Sequence, residues 1–124
     1  MKRWISVLVG LLLLIAAGIW ALPSQQCNGL TWDANTESDL AGHKVYWRTA
    51  TTVPYTDTNS FDRGNTVGLN FDAQIPAVGT ALRTARHWFV VTAYDTATPR
   101  NESGFSNEVS CKRPPAAPQG TVVN

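Results

Sequence analysis

The residues able to do chemistry are few and scattered. His43 and His87 are the only histidines of the chain, and Cys27 and Cys111 the only cysteines. One acidic run, Asp33-x-Asn35-x-Glu37-x-Asp39, sets oxygen ligands at alternate positions. It offers carboxylates to a calcium ion, but it lacks the central glycine and the distal bidentate glutamate that such a loop needs. The same residue types form turns and side-chain caps, which is the expected role. A nucleophile needs a base within hydrogen-bond reach, and no Ser/His/Asp grouping stands out along the chain. Asn101-Glu102-Ser103 fits a glycosylation sequon, a short pattern that is common by chance. The expectation is a chain that is not an enzyme, with no cofactor and no metal.

The cysteines bracket the region that is to fold. A pair following a hydrophobic N-terminus points to an oxidising compartment and a disulfide, with two free thiols as the alternative. A zinc site would need more Cys or His close by. Closing a loop of 85 residues (27–111) stabilises by about 4–5 kcal/mol on the chain-entropy model. The chain has 124 residues, room for one domain. Lys and Arg number 10 against 9 Asp and Glu; without Lys2 and Arg3 the count is 8 against 9, a net of −1. The charges form no basic stripe, so nucleic acid is not an expected partner.

Residues 4–22 are 19 positions without a charge, preceded by Lys2-Arg3. As a helix they span about 28 Å, close to the hydrocarbon thickness of a bilayer. Trp4 and Trp20 lie about 24 Å apart on that helix, one at each interface. A cleaved secretory signal has a shorter apolar region and a small-x-small cleavage site, and the sites here are poor. An uncleaved membrane anchor over residues 1–26 is therefore favoured over a cleaved signal. Its N-terminus is cytoplasmic and Cys27 lies outside, in the periplasm or beyond the cell. Gly10 and Gly18, with Ala17 and Ala21, offer a close-packing face, though ordinary small residues in an apolar helix are the simpler reading.

Beyond the anchor the pattern is that of short strands. Leu30 and Trp32 alternate with polar neighbours. His43, Val45 and Trp47 point one way, and Lys44, Tyr46 and Arg48 the other. Residues 51–65 suggest a weak edge strand within loops. Val67, Leu69, Phe71 and Ala73 alternate as another strand, and residues 76–83 form a connection plugged by Leu82. Residues 86–94 are the longest strand, rich in β-branched and aromatic types, and residues 105–111 close the sheet. Residues 112–124 contain Pro114, Pro115 and Pro118 and form an extended tail. Short strands separated by turns predict an all-β antiparallel sandwich.

Three segments make the pattern specific. Trp32, His43-x-Val45-x-Trp47 and His87-x-Phe89-x-Val91-x-Ala93 resemble the core positions of strands B, C and F in the fibronectin type III family. The resemblance covers residues 28–110 and is strongest at 30–47 and 87–110. Asn-Thr-Glu-Ser-Asp-Leu-Ala-Gly and Asn-Glu-Ser-Gly-Phe-Ser-Asn-Glu-Val resemble modules of exported bacterial proteins. The family implies an immunoglobulin-like sandwich over residues 27–111. It also implies antiparallel pairing of strands C and F, which sets His43 and His87 at opposite ends. Strand B starts and strand G ends at one pole, so Cys27 and Cys111 come within bonding distance. Too few residues precede Leu30 for a full strand A, so one sheet edge is expected to be open, and an open edge is a pairing site.

Such modules space, dock and bind. The expected function is a non-catalytic docking subunit of a larger membrane assembly, of the kind found in respiratory or photosynthetic complexes. Its expected partners are other proteins of that complex, and the bilayer through residues 4–22. Tyr46, Trp88 and Tyr94 share outward parity and form the candidate partner surface. The alternative is an exported carbohydrate-binding or adhesion module in which these three rings stack on sugar.

Overall fold

The computed structural model describes residues 26–124. The expected anchor, with Trp4, Gly10, Gly18 and Trp20, lies outside the described residues. Among the described residues, no helix is long and apolar enough to cross a membrane.

The fold is all-β, built from antiparallel sheets with two short helices. In order, β1 is Gly29–Thr31, β2 Leu40–Arg48, β3 Ser60–Gly64 and β4 Gly68–Asn70; α1 Phe71–Gln74 and α2 Pro76–Ala81 follow, then β5 His87–Asp95 and β6 Val109–Cys111. A single 3-10 turn, Asp57–Asn59, precedes β3. The strands form a four-stranded sheet in the order β3-β2-β5-β6 and a two-stranded sheet, β1-β4.

β2 and β5 are the frame, nine residues each. Their register pairs Val45 with Val91 and Trp47 with Phe89. Cross-strand partners share a face, so the odd-numbered side chains converge there. They pack with Leu30, Leu69, Phe71, Val78 and Leu82 into one core between the large sheet and the layer of β1, β4 and the helices. Phe71 stacks on Phe89 with ring centroids 4.9 Å apart. Leu82 is fully buried, the expected plug.

The strand expected to run from Val67 to Ala73 ends at Asn70. The Asn70 side chain accepts a hydrogen bond from the Ala73 amide, and Gln74 Oε1 accepts from the Asn70 amide. These reciprocal caps satisfy free donors of a helix start and turn the chain into α1. Pro76 then stands at the first position of α2, where its missing N–H costs nothing.

The last strand is also shorter than expected. Only residues 109–111 form a regular ladder with β5. Ahead of them, Ser103 Oγ and Ser106 Oγ accept from the amides of Ala93 and Val91, each at 2.9 Å. Serine hydroxyls thus stand in for backbone carbonyls along that part of β5.

Candidate functional site

Four places hold the polar and exposed groups of the domain. The first is the pole where β1 begins and β6 ends. Cys27 and Cys111 form a disulfide there, with Cα atoms 5.8 Å apart. Cys27 lies in the left-handed backbone region (φ 56°), unusual for a residue with a Cβ. Arg113 secures it: Nε donates to the Cys27 carbonyl at 3.0 Å, and Nη1 donates to the Gly79 carbonyl at 3.0 Å and to Asp72. Arg113 falls in the stretch expected to be an extended tail, yet it is only 4 % exposed. The folded unit therefore runs two residues past Cys111. A Cβ at Gly79 would meet Asp72 Oδ1 at 2.3 Å, so a side chain there would displace the Asp72 carboxylate from its present position on Arg113.

The opposite pole carries the acidic run. Asp39 accepts from the Thr96 amide through its carbonyl, so loops 33–41 and 95–102 meet there. The Asp95 carboxylate accepts from the amides of Ala97 and Asn101 and from Asn101 Nδ2, which holds it below the usual carboxylate range. The sequon asparagine is thus engaged in the turn. Among the described residues, no group of three His, Cys, Asp or Glu could hold a metal. His43 pairs with Ala93 and His87 with Cys111. Ala93 and His87 are six residues apart on β5, about 20 Å. Among the described residues neither ring nitrogen of His43 has a partner, although the residue is 1 % exposed. It packs edge-on against Trp32, whose buried indole Nε1 likewise has no partner among the described residues.

The third place is the outer face of the large sheet. Register confirms the shared parity of Tyr46, Trp88 and Tyr94, since Arg48 opposes Trp88 and Gly42 opposes Tyr94. The face is nevertheless not an open aromatic platform. Tyr46 is 6 % exposed, covered by Phe105, and that part of the expected partner surface is corrected. Three tyrosines there share one arrangement: a cation over the ring and a carboxylate on the hydroxyl. Arg100 lies 3.9 Å over Tyr94, whose hydroxyl and the guanidinium both reach Asp62. Arg48 lies 4.5 Å over Tyr55, and both donate to Glu108. Lys44 lies 5.0 Å over Tyr46, but here the acids differ: Lys44 pairs with Asp57 and the Tyr46 hydroxyl donates to Glu102. Burial and the Glu108 carboxylate push Tyr55 up to about 12. Burial likewise raises Tyr46 and Tyr94. Tyr55 and Phe105 were not foreseen here: Tyr55 sits in a loop where strand parity gives no direction, and the closing strand expected to begin at Phe105 begins only at Val109.

The fourth place is a groove of about 460 Å³ lined by Leu30, Trp32, Phe89, Val91 and Val109 among others. One wall is the outer edge of β1, which among the described residues pairs only with β4. Asn28 and Trp32 bond toward β4 through Phe71 and Val67. By antiparallel alternation, the backbone groups of Gly29 and Thr31 face the groove side. The chain matches no family model, no curated protein and no solved structure.

Proposed function

We propose that residues 27–113 are a fibronectin type III-like sandwich lacking its first strand, carried outside the cytoplasmic membrane on an anchor at residues 4–22, and that the domain is a non-catalytic docking subunit of a membrane assembly. Support for the sandwich comes from the order of the strands. In this reading β1, β2, β5 and β6 correspond to strands B, C, F and G of that family, and the sheet order β3-β2-β5-β6 with Trp32, Val45 and Phe89 on the core side supports it.

One observation carries the docking reading: the outer edge of β1, without a strand partner among the described residues, borders a groove in which Leu30, Trp32, Phe89 and Val109 lie beside the polar Thr31, Asp33, Ser106 and Asn107. Free backbone donors and acceptors in a row are complemented best by another extended backbone. The occupant is an extended segment of a partner protein that adds beside β1 and lays apolar side chains on Leu30 and Val109. The disulfide pole is joined directly to the anchor, so this edge lies close to the membrane surface, where a neighbouring subunit can reach it.

Co-purification of the full chain in mild detergent tests the reading. A stoichiometric membrane partner is expected with the native chain. It is expected to be lost from a Thr31→Pro/Val109→Lys variant, which removes an edge donor and charges the groove while leaving the β4 pairing in place. A chain that elutes alone, or a variant that keeps its partner, would overturn the proposal. Intact-mass measurement decides the anchor: a mature terminus between Ile19 and Gln25 would mean a cleaved signal.

A further inference from the structure

The outer face of the large sheet has a vacancy in its own pattern. Asp57, Asp62 and Glu108 each pair with a cation, Lys44, Arg100 and Arg48. Glu102 lies on the same face, but Tyr46 Oη and Thr92 Oγ1 are its only bonded partners among the described residues, and both are neutral hydroxyls on one oxygen. Arg100 bonds Asp62 and senses Glu102 only through space. Phe105 is the corresponding odd ring. It lies edge-on between Tyr46 and Tyr55, with centroids at 5.6 and 5.3 Å. It is 57 % exposed, and no cation of the described chain covers it, unlike Tyr46, Tyr55 and Tyr94.

Glu102 and Phe105 share one recess of about 360 Å³, between β2, the loop before β3 and the segment after β5. Tyr46 and Tyr55 form its aromatic wall, and the charged residues lining it, Asp57 and Glu102, are both acidic. An aromatic wall attracts a cation through the negative face of its rings, and a carboxylate beside it fixes the cation's N–H groups. The apolar ring surface suits a cation on an alkyl stem better than a bare metal ion, which would need several oxygen ligands.

We infer that this recess is a binding site for an alkyl-borne cation, the guanidinium of an arginine side chain presented by a partner protein. The guanidinium lies over Phe105 and donates to the free oxygen of Glu102, repeating what Arg100 does with Tyr94 and Asp62. Arginine fits better than lysine because its plane can stack on the ring while its edge meets the carboxylate. The recess is on the face opposite the core and does not include the β1 groove, so the inference stands or falls separately from docking at that edge.

The test uses the full chain in detergent micelles with phenylalanine and tyrosine rings carbon-13 labelled. N-acetyl-arginine methylamide is titrated in, with its uncharged counterpart N-acetyl-citrulline methylamide at matched ionic strength. Saturable shifts of the Phe105 ring signals are expected with arginine and not with citrulline. Glu102→Gln should weaken the apparent affinity about tenfold, the loss of one charge-assisted hydrogen bond. Phe105→Leu should weaken it severalfold, read on the Tyr55 ring, with the fold kept because Phe105 is exposed. Equal shifts from citrulline, no shift at Phe105, or an unchanged affinity in Glu102→Gln overturns the site. If Glu102→Gln fails to fold, full arginine affinity in Phe105→Leu overturns it equally.

Discussion

Arg113 holds both carboxylate oxygens of Asp72, Nη1–Oδ1 at 2.7 Å and Nη2–Oδ2 at 3.0 Å, although the arginine side chain is 4 % exposed and the aspartate 64 %. The pair is a clasp with its cation inside and its anion in water. The charge is taken out of solvent at one end only, and the Cys27 and Gly79 carbonyls accept from Nε and Nη1.

Arg113→Met is expected to destabilise the domain by about 2–4 kcal/mol, since two buried carbonyls lose their donor. The carboxylate left behind is solvated and adds little. Gly79→Ala should destabilise in the same direction by forcing Asp72 away from Arg113. Urea unfolding of the oxidised protein measures both, and a change within error for Arg113→Met contradicts the clasp.

His43→Phe is expected to raise stability by about 1 kcal/mol. It removes two buried ring nitrogens that have no partner among the described residues and keeps a flat ring against Trp32. Thermal unfolding gives the answer. A loss of more than about 1 kcal/mol would mean that His43 has a partner, such as an ordered water.

Stability should fall at both ends of the pH scale. Lys44 lowers Asp57, and Tyr55 with Arg48 lowers Glu108. Burial pushes Asp62 up, but Tyr94, the Gly64 amide and Arg100 outweigh it and leave it lowered. A carboxyl that is more acidic in the fold contributes above its unfolded value, and the contribution is lost as pH falls through the folded value. The acid loss is therefore expected below about pH 4, the ordinary carboxylate value. Tyr55 has the opposite sign. Its folded value of about 12 lies above the ordinary 10, so its contribution is present below pH 10 and lost as pH rises toward 12. Urea midpoints across pH check the shape, and a flat acid limb would contradict these pairings.

Ser106→Ala and Ser103→Ala should each cost about 1 kcal/mol, because the amides of Val91 and Ala93 lose their acceptors. Hydrogen exchange should quicken at those two amides more than at Val45, in the centre of β2. Uniform exchange across the sheet would mean that the serines are not the acceptors.

Legibility in the sequence followed the length of the element. β2 and β5 are long enough for period-two alternation to show, and the disulfide followed from two cysteines bracketing them. The turn at Asn70 was hidden because Val67, Leu69 and Phe71 continue the alternation while the backbone changes state. Asn70 as a cap and Pro76 at a helix start were the available signals, but each helix is under two turns. Arg113 carried no signal at all, since a basic residue among prolines looks the same in a loose tail and in a clasp. On the outer face, parity placed Tyr46, Trp88 and Tyr94 correctly. It could not show that loops 51–59 and 99–108 bring Tyr55, Asp57, Arg100, Glu102, Phe105 and Glu108 back over that face.

The serine hydroxyls along β5 carry a further consequence, for assembly size. Segment 103–107 bonds inward through the amides of Ser103 and Ser106 as well as their hydroxyls, and each hydroxyl turns its own proton back onto a neighbouring carbonyl, Gly104 or Asn107. It therefore offers no regular row of backbone groups for a neighbouring chain to copy. β1 differs: among the described residues its outer edge has no strand partner. The proposed strand addition is thus directed to β1 rather than to that flank, which favours discrete complexes over open-ended filaments.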